Sequence, residues 1–136
     1  MLLFRTLGLA LLALALPGFA TATSPFLVYF EQGSAELSNR GERTIENVAR
    51  ILLIDCPGSQ ILLVGHDDNM LSADESTALS KARVQMVAAR LQELRVSNDR
   101  LNVIIRGQSQ PARVTPKGTA EVLNRRVEIG PIYCAD

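Results

Sequence analysis

The residues of this chain best placed to do chemistry lie between Gly65 and Arg83. His66, Asp67, Asp68 and Asn69 are consecutive, and Arg83 follows within a segment of helical periodicity. The helical neighbours of Arg83 at three and four positions are Leu79, Ser80, Met86 and Val87. None is acidic, so no ion pair along the helix accounts for this arginine. A guanidinium on the shoulder of an apolar stripe loses part of its hydration and calls for an acidic partner or a bound anion. A carboxylate at a strand end and a guanidinium on the next helix are the parts needed to hold a small zwitterion. Two plainer readings stand beside this one. Arg83 can cover apolar surface with its stem while its head reaches water, and Asp67 and Asp68 can serve only turn and helix entry.

Metal and catalytic chemistry are poorly supplied. His66 is the only histidine, with no second spaced His or Cys, and Asp67-Asp68-Asn69 lacks the EF-hand spacing, so no metal is expected. No histidine remains to act as base for a nucleophilic serine, and neither an enzyme nor a cofactor is expected. Arg125 and Arg126 add a basic pair. Consecutive side chains of a strand face opposite ways, so one of them points to the site and the other to solvent. The sequence leaves open which.

The elements that must position these groups are legible from periodicity. Phe26 to Phe30 is a continuous apolar and aromatic run, a buried strand. Ser38 N-caps a helix running to about Leu53, with Ile45, Val48, Ala49 and Leu52 on one face. Asp55-Cys56-Pro57-Gly58 ends it. Gln60 to Val64 is a second strand, apolar on both sides and therefore central, and it breaks at Gly65. Ser72 and Glu75 form a capping box for a second helix running to about Arg95. Its inward stripe is Ser80, Val84, Val87, Ala88, Leu91 and Leu94. Leu101 to Ile105 is a third strand, residues 107–118 form a loop, and Arg125 to Ile129 is a fourth strand. The order β-α-β-α-β-β predicts an α/β two-layer sandwich with two helices on one face of a four-stranded mixed sheet. Arg83 lies 11 residues past Ser72, about 16 Å along the helix. To meet Asp68, the helix must start well beyond the sheet edge and return past it.

Composition bounds the rest. With 136 residues, one domain is expected. Lys+Arg and Asp+Glu balance at 14 each, which removes the basic excess of a nucleic-acid binder, and the absence of Trp removes an indole platform for sugars. Residues 1–22 have the form of a secretory signal: Arg5, an apolar core from Leu7 to Leu16, then Ala20-Thr21-Ala22 before the cleavage point. That core is short for a membrane span of about 20 residues, so no span is expected once the signal is removed and 23–136 remains as a single domain. In an exported chain the only two cysteines, Cys56 and Cys134, are expected to form a disulfide, with two free thiols as the alternative. They can meet if the second and fourth strands lie antiparallel and close.

Several ordered blocks over residues 26–129 resemble the OmpA-like C-terminal domain. They are Phe30 with Ser34-Ala35-Glu36-Leu37, Val64-Gly65-His66-Asp67-Asp68, Leu79-Ser80-Lys81-Ala82-Arg83, Arg100-Leu101, Gly107-Gln108-Ser109-Gln110-Pro111 and Asn124-Arg125-Arg126-Val127-Glu128-Ile129. The resemblance implies a periplasmic, cell-wall-associated module of a Gram-negative envelope. It implies non-covalent binding of the diaminopimelate-type stem peptide of peptidoglycan, with no reaction catalysed. The role facing the ligand's amine falls on Asp68 and the role facing a carboxylate on Arg83. Asp67, Asn69, Ser76, Arg125 and Arg126 complete the expected ligand-binding set. The chain departs from the family pattern at Asp67 (usually Thr), Leu71 (often Gly), Ser76 (usually Asn) and Ile105 (often Gly). The changed loop motivates an alternative, a domain kept as a protein-interaction module in an envelope complex.

Overall fold

The structure, a computed structural model, describes residues 24–134. The expected signal at 1–22 lies outside the described residues. The elements are β1 (Phe26–Tyr29), α1 (Asn39–Arg50), β2 (Ile61–His66), α2 (Ala73–Glu93), β3 (Leu101–Gly107) and β4 (Arg126–Ile129), in the expected order. The strands form one mixed sheet in the order β1-β4-β2-β3. β2 and β3 are parallel, whereas β4 is antiparallel to both of its neighbours. Both helices cover one face. Val28, Leu63, Val127 and Ile129 from the sheet meet Ile45, Val48 and Leu52 on the α1 side and Val84, Val87 and Leu91 from α2. β2 is apolar on both faces because it is an inner strand, and even Val64 and His66, on the face away from the helices, are buried.

Ser38 caps α1, its Oγ accepting from Gly41 N at 3.1 Å. The helix ends where expected, but its last turn changes winding. It widens into a π turn (Ile51–Asp55) in which Cys56 N donates to Ile51 O at 2.8 Å. Arg100 closes that turn from across the fold, donating to Leu52 O, Cys56 O and Ser59 O at 3.0, 3.0 and 2.8 Å. The closure fixes Cys56 at the foot of β2. There it forms a disulfide with Cys134, at a Cα–Cα distance of 4.8 Å. The antiparallel β2–β4 pair brings the start of one strand close to the end of the other, as the pairing requires.

β2 also runs further than expected, through Gly65 and His66. Gly65 is no strand breaker. A Cβ there would lie 2.6 Å from Ser80 O and 2.6 Å from Val84 Cγ2, so the missing side chain is what lets α2 press onto β2. The capping box forms as expected: Ser72 Oγ accepts from Glu75 N, and Glu75 Oε2 accepts from Ser72 N at 3.0 Å.

Candidate functional site

Close helix–strand contact at Gly65 decides where Arg83 goes. Ser80 sits directly over the strand, and Arg83, one turn further along α2, lies inside the layer between helix and sheet with 0% exposure. Its Nη1 donates to His66 O at 3.2 Å and to Asp67 Oδ1 at 2.7 Å. The reading in which its head reaches water is thereby excluded. Asp68 is not its partner; Asp68 Oδ2 accepts instead from Arg125 Nη1 at 3.0 Å. Consecutive residues leaving the bulged end of β2 diverge, so each carboxylate, 2% exposed, meets a different arginine.

Both arginines also hold the segment between β1 and α1. Arg83 Nε donates to Ser34 O at 2.9 Å and its Nη2 to Glu31 O at 3.1 Å, while Arg125 Nε donates to Phe30 O at 2.9 Å. The Arg83 guanidinium lies 5.3 Å from the Phe30 ring centroid, in cation–π range. Two buried ion pairs thus share the work of holding three backbone carbonyls. Burial pulls the Arg83 pKa below its ordinary value, the bond to Asp67 opposes this, and the nearby Arg125 charge adds to the lowering.

The remaining expected site residues divide. Arg125 faces the charge layer. Arg126 points to the opposite face but not into solvent: it is 6% exposed and donates to Glu128 Oε1 from Nε and Nη2 at 3.0 and 2.8 Å and to Leu123 O from Nη1 at 3.3 Å. Ser76 is fully buried, and its Oγ donates to Asp68 O at 3.3 Å, bracing the loop from behind. Asn69 is a loop tie. Its Nδ2 donates to Thr115 O, Thr115 Oγ1 and Pro116 O, and its Oδ1 accepts from Thr119 N at 3.0 Å. Asn124 grips the same loop through both backbone groups of Arg113. Glu121 was not singled out in the sequence, yet its N–H donates to Asp68 Oδ2 at 3.1 Å. It is a backbone contact, which residue type cannot signal.

His66 belongs to a separate environment. Both ring nitrogens lack a hydrogen-bond partner, although Nε2 lies 3.5 Å from Glu128 Oε2. Burial first, and the Arg126 charge second, push its pKa below the ordinary value, with Glu128 opposing. It is a neutral, buried ring under the 107–118 loop. Among the described residues no group of His, Cys, Asp and Glu is arranged to hold a metal ion.

Two cavities flank the charge layer. One is an open groove of about 410 Å³ lined by Tyr29, Phe30, Glu31, Ser34, Leu37 and Val122 among others, against the segment that the two arginines hold. The other, of about 50 Å³, lies beneath the 107–118 loop and is lined by Asp67, Asn69, Gln108, Pro111, Val114, Thr115 and Asn124. A third, apolar groove of about 390 Å³ between α2 and β3 lies apart from these charges.

The fold is a small two-layer α/β domain with a buried ionic layer at the carboxyl end of an inner strand. The chain belongs to the OmpA family, whose model matches residues 29–125. It is 32% identical over 72 residues to the peptidoglycan-associated lipoprotein of Legionella pneumophila, a match covering 53% of this chain and 41% of that relative. The chain therefore spans less than half of that relative's length. Its fold is similar to the crystal structure of the peptidoglycan-associated lipoprotein from Burkholderia pseudomallei, with a TM-score of 0.70 and 22% identity, covering 76% of this chain and 86% of that one. It is also similar to the C-terminal domain of Helicobacter pylori MotB, with a TM-score of 0.67 and 21% identity over 79% and 84% of the two chains. Among the described residues no helix is long and apolar enough to cross a membrane.

Proposed function

We propose that this chain is a non-catalytic, periplasmic module of the Gram-negative envelope that binds peptidoglycan by the free zwitterionic end of a diaminopimelate stem peptide. The observation that carries the reading is the pairing of two buried carboxylates with two buried arginines that together fix the wall of a groove of ligand size. In this reading Arg83 and Arg125 serve the ligand carboxylate, and the carboxylates leaving β2, Asp67 and Asp68, serve its ammonium. Charge-assisted hydrogen bonds of this kind contribute about 1.5–3 kcal/mol each, and opposite charges discriminate a zwitterion from neutral stem residues. Membership of the OmpA family and the name of the Legionella relative support the same ligand class.

The test is co-sedimentation of purified protein with diaminopimelate-type sacculi. Free meso-diaminopimelate is expected to release the protein, lysine is not, and Asp68→Asn and Arg83→Lys are expected to weaken binding while thermal unfolding verifies their folds. Sedimentation that persists under excess diaminopimelate and in both variants refutes the reading.

One observation favours a second reading, a protein-interaction module in an envelope complex. Arg83 already directs four N–H contacts to its own chain, and Asp68 already accepts three. A stable partner captured without any sacculus binding would decide for it.

A further inference from the structure

The two edges of the sheet are not alike. At one edge β1 has 4 residues, follows Pro25 directly and pairs with β4 alone. A short strand behind a proline offers little to another chain. At the other edge β3 has 7 residues, contains no proline and, among the described residues, pairs with β2 alone. Alternate backbone N–H and C=O groups of β3 therefore point away from the sheet, a template for one more strand.

The side chains beside this open edge are apolar. Leu101, Val103 and Ile105 share the helix face; Leu101 and Ile105 pack against the core, whereas Val103 is 50% exposed. Val103 and Ile105 form one wall of the groove of about 390 Å³, and Val84, Ala88 and Ala89 of α2 form the other. Ile105 stands where the family pattern often has Gly, so this wall is a feature of this chain's own sequence. The only charge in the strand is Arg106, which shares the outer face with Asn102 and Ile104.

We infer that the β3 edge is a homodimer interface, where a second copy of this chain pairs antiparallel with β3 about a twofold axis at Ile104. The strand is self-complementary in that register. Ile104 faces its own copy, Val103 faces Ile105 of the second copy, and Asn102 faces Arg106 of the second copy. All 7 residues pair and no like charges meet. A shift of two residues one way sets Arg106 opposite Arg100, and a shift the other way leaves Leu101 and Asn102 unpaired. Each Val103 and Ile105 then covers the groove of the other copy and leaves water. The Lys81 end of each groove meets the Gln92 and Asn98 end of the other, which keeps the two lysines apart. A parallel twofold pairing turns the second copy over, so that Asn102 and Arg106 would meet the apolar groove instead. The groove beside Phe30 lies at the β1 edge and stays open in both copies, so the inference does not rest on the peptidoglycan reading.

The test is the mass of the purified protein by sedimentation equilibrium over a range of concentrations. A concentration-dependent passage from monomer to dimer is expected. Val103→Asp sets a short carboxylate against Ile105 of the second copy and is expected to raise the dissociation constant by roughly tenfold or more. Leu27→Asp, at an exposed apolar position of β1, is expected to leave it unchanged, and thermal unfolding verifies both folds. Cross-linking reads the register, the Cys56–Cys134 bond being already closed. Ile104→Cys places two thiols at a Cα separation of about 4.5–5.5 Å and is expected to give a covalent dimer on oxidation. Arg106→Cys alone is not, but its mixture with Asn102→Cys is. A monomer at every concentration overturns the inference. So does a dimer that is undiminished in Val103→Asp, is lost in Leu27→Asp, or cross-links through Arg106→Cys and not through Ile104→Cys.

Discussion

Removing Arg83 tests whether the buried charge layer is a coupled unit or a set of independent contacts. In Arg83→Met the stem volume is largely kept, but the Asp67 carboxylate stays buried with no cation, a situation that costs about 3–5 kcal/mol. His66 O, Glu31 O and Ser34 O also lose their charged donors. Asp67→Asn is milder, because the amide oxygen still accepts from Nη1, and a loss of about 1–3 kcal/mol is expected. In the double variant no unpaired carboxylate remains, whereas the three carbonyls are orphaned as in the single Arg83 variant and so cancel in the cycle. The double variant should therefore be more stable than the sum of the two losses by about 2 kcal/mol, roughly a thirtyfold difference in the folding equilibrium. Urea unfolding of all four proteins measures this. With a slope of about 1–3 kcal/mol/M for a domain of this size, the offset is on the order of 1 M in midpoint. Additivity within about 0.5 kcal/mol would refute the coupled layer.

Gly65→Ala places a methyl group 2.6 Å from the backbone oxygen of Ser80, so α2 must move, and a loss of about 1–3 kcal/mol is expected in thermal or urea unfolding. His66 is held neutral in the fold with its pKa depressed below 6.5, so the unfolded chain takes up a proton first. Stability is thus fully present above about pH 6.5 and falls as the pH drops toward the folded pKa; urea midpoints measured across that range should show the fall, with a smaller slope in His66→Gln. Reducing the Cys56–Cys134 bond frees a separation of 78 residues, and the chain-entropy model gives a loss of about 4.5 kcal/mol, measurable as a lower urea midpoint in a Cys56→Ala/Cys134→Ala variant.

Periodicity carried the fold further than it carried the site. The apolar run of β2, the Ser72–Glu75 capping box and the stripe on α2 are local patterns, and the structure keeps all of them. Gly65 marks the limit, because a turn glycine and a glycine beneath a helix are identical in sequence. Only the tertiary neighbour, Ser80 O, separates them. The same limit appears in the charges. Their identities and the need of Arg83 for a partner were readable, but the pairing Arg83–Asp67 and Arg125–Asp68 depends on how a bulged strand end splays two adjacent residues. The expectation that one arginine of the Arg125–Arg126 pair faces solvent failed, since nothing local shows that Arg126 is covered by Gln110 and Leu123 from the segment before β4. The π turn was likewise invisible, being completed by Arg100 from a distant element.

The position of β4 within the sheet has a consequence in time as well as in space. β4 lies between β1 and β2, so Phe26 pairs with Ile129 and Tyr29 with Arg126 across almost the whole described chain. Until β4 is inserted, β1 has no strand to pair with. The parallel β2–β3 pair under α2 can assemble earlier, from segments closer in sequence. Such distant pairing slows closure and leaves two inner strand edges open while the molecule waits. A chain emerging segment by segment would hold this half-built sheet until Arg125 and Val127 arrived. The same last segment that closes the sheet brings in the cation for Asp68, so the buried ionic layer cannot be completed before folding is.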